Sequence, residues 1–294
     1  MATEEIPVII RDLREDGFSI SKGEAKAILE EERDEDYYRW AETGARDFAT
    51  ASRERIERPY EEGMLVVRKP DGTIRFDDRK IRYAGHSNSG GHYDIQLGPT
   101  HFGEVQKADI RASVEPAFRD RLVQQGERDF GDSFAYFARL LAVSGVPVTA
   151  EGGVHVFKRS ERVEMYKSHW HVIAGVFDGN TTVFEAEDPS AELKQQLRAN
   201  MLREFEEEAA SRVSELELIG LSQGIGANFA YIAHLVMSGS EFLESVSRAD
   251  DHTDHVEAKT LVGKAQLGEF LRRERKIVPA GRGSLEIYLE RFSH

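Results

Sequence analysis

One stretch of the chain, from Arg203 to Ala210, sets acidic side chains at a spacing that metal chemistry can use. At about 100° per residue, Glu204, Glu207 and Glu208 stand at positions i, i+3 and i+4, so a helix places the three carboxylates on one face. Carboxylates this close repel one another unless a positive charge neutralises them. Their oxygens suit a hard divalent cation, so the spacing predicts a site for Mg²⁺ or Mn²⁺.

A solvated helix face is the alternative explanation of the same glutamates, because 31% of the residues are charged. Leu202, Phe205 and Ala209 project beside the carboxylates as an apolar stripe. We expect this stripe to dock the helix on a core and to leave the carboxylates at its margin. The pattern itself leaves both explanations open.

The order Arg-Glu-apolar-x-Glu-Glu at positions 203–208 resembles the core of the Nudix box, the signature of hydrolases that split nucleoside diphosphates linked to another group. In that family the box is a loop-helix-loop whose glutamates hold Mg²⁺, while its arginine orients one of them. The resemblance implies metal ligands at Glu204, Glu207 and Glu208. It also implies catalytic roles for Arg203 and Glu204.

Three positions of this chain depart from the family pattern. The family expects Glu where this chain has Gln195, and it expects Gly where the chain has Pro189 and Ala210. These departures favour metal binding over efficient catalysis.

Gly175 resembles the glycine that opens the box in the family, and it ends a Trp-containing stretch at 169–175. This placement implies an enlarged loop from Val176 to Ser190. Acidic residues in that loop are candidates to replace the missing acid, namely Glu185, Glu187 and Asp188.

Composition sets the broad class of the protein. At 294 residues with 40% apolar content, the chain has enough apolar sequence for a buried core and for two domains. It has no cysteine, which excludes disulfides and thiolate sites. The absence of a long apolar run or an apolar leader predicts a cytoplasmic protein without a membrane span. A net charge of −14 argues against general nucleic-acid binding.

The first 130 residues are predicted to form an α+β domain of unknown role. Residues 5 to 60 are predicted to be mostly helical, with Ser21 and Glu24 at capping-box spacing. A strand hairpin is predicted around Asp71-Gly72, and Gly85 to Tyr93 is predicted to be a polar loop. A boundary near Gly126 to Gly131 divides the chain into domains 1–130 and 131–294.

The second domain is predicted to be α/β. Strands are predicted at 154–159, 217–221, 229–237 and 256–262, and helices at 264–273 and 284–291. Together with the box helix, this order resembles the Nudix fold, an α/β/α sandwich with a mixed sheet between helices.

Two residues outside the box are further site candidates. Arg159 ends a predicted strand, and the resemblance implies a phosphate contact there, although an ordinary strand-end charge is the alternative. The family also takes an acid from a later loop as metal ligand or catalytic base. Glu257 is our choice for that acid, against Asp251 and Asp254 in the His-Asp cluster 251–255.

These observations predict a hydrolase of a nucleoside diphosphate linked to another group, with Mg²⁺ or Mn²⁺ as cofactor and a small nucleotide-type substrate. The alternative is a Nudix-like domain without turnover that senses a nucleotide ligand or serves as an interaction module. Gln195 and Ala210 favour that alternative. A homodimer is compatible with either function.

Overall fold

The computed structural model of the chain describes residues 8–27, 65–68, 74–77, 79–101, 104–163, 166–177, 183–184, 186–249 and 254–291. In chain order, the strands are β1 (Val8–Arg11), β2 (Phe18–Lys22), β3 (Leu65–Arg68), β4 (Ile74–Asp77), β5 (Arg79–Ser89), β6 (His92–His101), β7 (Leu141–Val148), β8 (Gly153–Arg159), β9 (Trp170–His171), β10 (Ile173–Val176), β11 (Glu215–Gln223), β12 (Ala227–His234) and β13 (His255–Val262). The α-helices are α1 (Arg111–Val114), α2 (Pro116–Phe130), α3 (Pro189–Ala209), α4 (Gly239–Val246), α5 (Gly263–Arg273) and α6 (Pro279–Arg291). In the part of the chain that is described, no helix is both long and apolar enough to cross a bilayer.

An eight-stranded sheet is the centre of one compact unit, whose described residues come from Met1–Phe18, Ala142–Phe177 and Leu193–His294. The strand order is β1-β11-β12-β7-β8-β13, with β10 beside β7 and β9 beside β8. Strands β7 and β12 are buried along almost their whole length, as expected of apolar runs in the middle of a sheet. The chain from β9 to β10 therefore lies inside the sheet, next to its central strands.

Helices cover both faces of this sheet. The hydroxyl of Ser144 in β7 lies 2.5 Å from that of Ser284 in α6. The next residue, Gly145, lies against α3, because a Cβ added to it would come 2.6 Å from the ring of Phe205. Neighbouring residues of a strand point to opposite faces, so α3 and α6 pack on opposite sides. The predicted α/β fold, a sheet between helices, is confirmed.

Helix α3 docks on the sheet through a stripe that differs from the predicted one. Phe205 and Ala209 are buried as predicted, but Leu202 is 38% exposed. Met201 and Glu204 are buried in its place. The stripe follows i, i+3 and i+4 spacing with Glu204 inside it, so this carboxylate lies within the packed face and not at its margin.

The predicted helical N-terminus is wrong where the structure describes it. Residues 8–11 form β1, which pairs antiparallel with β11, and residues 18–22 form β2. The β-branched run at 8–10 favours a strand. Ser21 does not cap a helix, because its hydroxyl donates to Asp94 Oδ2 at 2.7 Å. Residues 28–60 lie outside the described residues.

A second compact unit takes its described residues from Ser19–Leu141 and Asp178–Glu192. It contains the sheet β2-β6-β5 and the predicted hairpin β3-β4. The predicted polar loop from Gly85 to Tyr93 is wrong, since strands β5 and β6 continue through it to a turn at Gly90 and Gly91. Strand β1 lies in the sheet of the C-terminal half, and a domain boundary at residue 130 does not anticipate this position. The division into domains 1–130 and 131–294 stays a prediction.

Helix α3 ends at a strained alanine. Ala210 has a φ of 45°, in the left-handed region that glycine favours at this position. The N–H of Ser211 donates to the carbonyl of Phe205 across it, which closes the helix end. The Cβ of alanine makes this conformation costly, whereas glycine would adopt it without strain.

We therefore expect Ala210→Gly to raise the free energy of unfolding by about 1 kcal/mol, the scale of left-handed strain in a non-glycine residue. Urea denaturation of the full chain measures the change. Ala199→Gly, at an exposed position inside the same helix, is the matched control and should lower stability by about 1 kcal/mol. A loss of stability in both variants would contradict the assignment of strain to Ala210.

Candidate functional site

The carboxylate of Glu204 lies directly on the backbone of β10. A Cβ added to Gly175 would overlap both of its oxygens. Glycine is required there because any side chain would occupy the space of the carboxylate. The sequence resemblance identified both residues, and the structure brings them together.

Two neighbours on α3 hold the Glu204 carboxylate. Asn200 donates from Nδ2 to Oε1 at 3.2 Å, and Arg203 donates from Nη2 to the same oxygen at 3.4 Å. Arg203 also donates to Asn200 Oδ1 at 3.1 Å, which links the three side chains. The predicted orienting role of Arg203 has a matching contact. Asn200 was missed, although it stands four residues before Glu204 and so on the same face.

Glu208 lies one turn beyond Glu204 and contacts a histidine. Its Oε2 is 3.5 Å from Nε2 of His255, and the side chains are 13% and 7% exposed respectively. Glu207 is partly exposed beside it. Among the residues that the structure describes, no three His, Asp or Glu side chains are grouped as a ready metal site.

The ladder between β8 and β13 brings His255 to this position. His255 is the register partner of Arg159, and its ring lies 5.0 Å from the ring of Phe157. Both ring nitrogens of His255 are buried, as is Nε of Arg159, and none of these atoms has a hydrogen-bond partner among the described residues. A buried polar group without a partner is costly, so these atoms are suited to a ligand.

His171 adds a second imidazole near this position. His171 lies in β9, where it is the register partner of Phe157 of β8, and it is buried. Burial lowers the pKa of His171 well below its usual range, and the positive charge of Arg159 lowers it further. His171 is therefore neutral at physiological pH. Its Nδ1 atom has no partner in the described part of the chain.

Glu257 has a partner of its own. Its Oε2 lies 3.4 Å from Nζ of Lys158, in a half-exposed ion pair. Lys158 follows Phe157 in β8, so their side chains point to opposite faces of the sheet. The Nζ atom of Lys158 lies 5.8 Å from the ring of Trp170, and that ring packs edge to face on Phe270 of α5. The pair therefore stands on the face of the sheet opposite to Phe157 and His255.

A bulge explains this arrangement, because the ladder shifts between His255 and Glu257 and leaves Val256 as an extra residue. The structure brings His255, and not Glu257, to the box helix. The catalytic role of Glu257 stays a prediction. Asp251 lies outside the described residues, whereas Asp254 accepts a backbone hydrogen bond from Ser160.

The acids expected to replace the missing glutamate have separate positions. Asp188 caps α3, since its Oδ1 accepts from the backbone N–H groups of Ser190 and Ala191 at 3.0 Å. Glu187 is exposed, and Gln195 is exposed on the helix surface. Glu185 lies outside the described residues.

Comparison with solved structures returns Nudix proteins, as the sequence resemblance predicted. A MutT protein from Methanosarcina mazei Go1 is 14% identical, with 52% of this chain and 94% of that chain covered and a TM-score of 0.32. A protein from Deinococcus radiodurans is 15% identical, with 52% and 82% covered and a TM-score of 0.34. A pyrophosphohydrolase from Bacillus subtilis is 14% identical, with 53% and 82% covered and a TM-score of 0.32. No protein-family model matches the sequence, and no curated protein matches it.

The contact between Gly175 and Glu204 yields a stability prediction. Gly175→Ala should lower the free energy of unfolding by about 1–3 kcal/mol, because the new methyl group overlaps a carboxylate that cannot leave a packed face. In combination with Glu204→Ala, the cost should fall, with a coupling of about 0.5–3 kcal/mol in a double-mutant cycle. Chemical denaturation of the four proteins measures it.

Gly224→Ala is the matched control, because a Cβ there meets nothing closer than Pro279 Cβ at 3.5 Å, an ordinary contact. It should change stability little. If Gly175→Ala and Glu204→Ala act additively, the two residues do not compete for one space.

Proposed function

We propose that this chain is a divalent-metal-dependent hydrolase of a nucleoside diphosphate linked to another group. One observation carries the proposal. A buried glutamate, Glu204, is fixed by Asn200 and Arg203 against a glycine, and a second glutamate, Glu208, follows one turn later beside unpartnered buried nitrogens. A merely solvated helix face would not bury its first carboxylate.

The types of donor present on α3 and β13 suit a divalent cation. Glu204, Glu207 and Glu208 supply hard oxygen donors on one helix face, and the nearby His255 has ring nitrogens without hydrogen bonds. A bound Mg²⁺ or Mn²⁺ would neutralise pyrophosphate charge and favour ionisation of an attacking water.

The chain's own residues have distinct tasks in this proposal. Arg203 and Asn200 keep the Glu204 carboxylate in one orientation by hydrogen bonds, which limits its rotamers before substrate arrives. Arg159, whose Nε lacks a partner in the described structure, donates to a phosphate oxygen of the substrate. Glu257 is paired with Lys158 on the other face of the sheet, so a role as proton acceptor or further metal ligand requires a change in the β13 register as well as release of that ion pair.

The second candidate is a ligand sensor without turnover. It is favoured by the lack of a ready three-ligand cluster in the described residues and by the exposed Gln195 at the position of a family glutamate. A sensor would still bind the nucleotide through Arg159 and the box helix. The two functions differ in whether products appear.

We expect metal-dependent phosphate-ester release from at least one member of a panel of nucleotide sugars, dinucleotides and nucleoside triphosphates. Glu204→Gln and Glu208→Gln should each lower turnover by roughly 10²-fold or more, because each removes a charged donor. Glu206→Gln, an exposed glutamate of the same helix, is the control and should keep activity. The assay is run with Mg²⁺, with Mn²⁺ and with chelator.

Other outcomes select other functions. Thermal stabilisation by a nucleotide without product formation supports the sensor. Turnover that persists in chelator or in both glutamine variants removes the glutamates from the chemistry. No effect of metal or nucleotide on either readout supports a plain interaction module.

Glu257 has a separate test. If it acts in the chemistry, Glu257→Gln should lower turnover by roughly 10²-fold at saturating Mg²⁺. If its role is only the ion pair, Glu257→Gln and Lys158→Ala should behave alike, with full turnover and a stability change within about 1 kcal/mol. Loss of activity in Asp251→Asn or Asp254→Asn, with full activity in Glu257→Gln, places the acid in the His-Asp cluster.

A further inference from the structure

We propose that His255 is a nitrogen ligand of the divalent cation and shares it with Glu208, so that the site prefers Mn²⁺ or Co²⁺ to Mg²⁺. This inference rests on the proposed metal helix, but it does not need hydrolysis to occur. It adds a ligand from β13, and it changes the expected metal.

The separation of the two side chains is the first support. His255 Nε2 and Glu208 Oε2 lie 3.5 Å apart, which is long for a hydrogen bond between nitrogen and oxygen. Two donors that share one metal at bond lengths of 2.0–2.2 Å are themselves roughly 3.0–3.4 Å apart. The observed distance is slightly longer than this range, so a small approach of the two side chains would let them share one cation.

The unsatisfied state of the buried imidazole is the second support. The His255 side chain is only 7% exposed, and neither ring nitrogen has a hydrogen-bond partner among the described residues. A neutral imidazole has one lone pair to offer, and burial without a partner costs free energy. A cation beside Glu208 would give that lone pair a partner, and the carboxylate charge would offset the charge of the cation.

The ring is also held in place. It packs on Phe157 at 5.0 Å between centroids, and its backbone lies in the β8–β13 ladder opposite Arg159. A ligand carried by a strand and packed on an aromatic ring loses little freedom when metal binds. Arg159 in the facing position is suited to an anion next to the cation, such as a phosphate oxygen.

The donor set determines the metal preference. Carboxylates alone suit Mg²⁺, whereas imidazole nitrogen suits the later divalent transition metals, whose affinity for such sites rises above that of Mn²⁺ along the series. A mixed set of glutamate oxygen and histidine nitrogen should therefore favour divalent transition metals over Mg²⁺, with a smaller preference for Mn²⁺ than for Co²⁺.

The test uses Mn²⁺ alone with the full chain, without nucleotide. Electron spin echo spectroscopy of the bound Mn²⁺ should show modulation from a coordinated ¹⁴N nucleus, and labelling of histidine with ¹⁵N should change the modulation frequency. In His255→Gln, the modulation should be lost and Mn²⁺ affinity should fall by about tenfold or more, the range seen even for indirect partners of a metal. Mg²⁺ affinity should change much less.

His234→Gln, at the end of β12, is the matched control and should keep the modulation. Absence of nitrogen modulation in the unmodified chain, or no Mn²⁺ binding, overturns the proposal whether or not any variant folds. Loss of the modulation in His171→Gln with retention in His255→Gln also overturns it. Nitrogen modulation without hydrolysis of any substrate supports this inference and refutes the proposed function. Mg²⁺-dependent hydrolysis without nitrogen modulation refutes this inference and supports the proposed function.

Discussion

The burial of the Glu204 carboxylate is the constraint on which the rest of the site depends. A charged group inside a packed face is tolerated only when polar partners compensate for lost water. Asn200 and Arg203 provide that compensation from the same helix, and Gly175 provides the space. This contact sets the rotation of α3 on β10, and from that rotation Glu208 points toward His255. The chemistry proposed for the helix follows from this single packing requirement.

The sheet contributes the ligand candidates that do not come from α3. Because β9 and β10 lie between the central strands, Gly175 meets α3 in the interior of the sheet. At the far side, β13 pairs with β8 and carries His255 to Glu208. Ligand candidates from a helix and from a distant strand thus meet on one face, whereas Glu257 and Lys158 occupy the other. The extra residue in β13, Val256, separates the two faces on which His255 and Glu257 lie.

Much of the local arrangement could be predicted from the sequence, because it depends on periodicity. The helix through 203–208, the glycine at 175 and the contact of Arg203 with Glu204 follow from spacing and from the resembling motif. The position of His255 beside Glu208 could not be predicted, since the bulge at Val256 is a property of strand pairing across about a hundred residues. Leu202 was misplaced because the buried apolar row of the helix runs at i+4 spacing through Leu197, Met201, Phe205 and Ala209, and Leu202 lies about 100° away from Met201. The prediction of helix over residues 5 to 60 did not account for the β-branched run at 8–10, which favours the strand that forms there.

The close contact of Gly175 with Glu204 has a consequence for sequence change over time. Neither position can be replaced alone without loss, since a larger residue at 175 needs a shorter one at 204, and a shorter one at 204 leaves Asn200 and Arg203 without their acceptor. Among descendants of this chain, we expect the two positions to covary, and a variant that has lost the glutamate would no longer be restricted to glycine. The residue at 175 would then record whether selection still acts on the acid at 204.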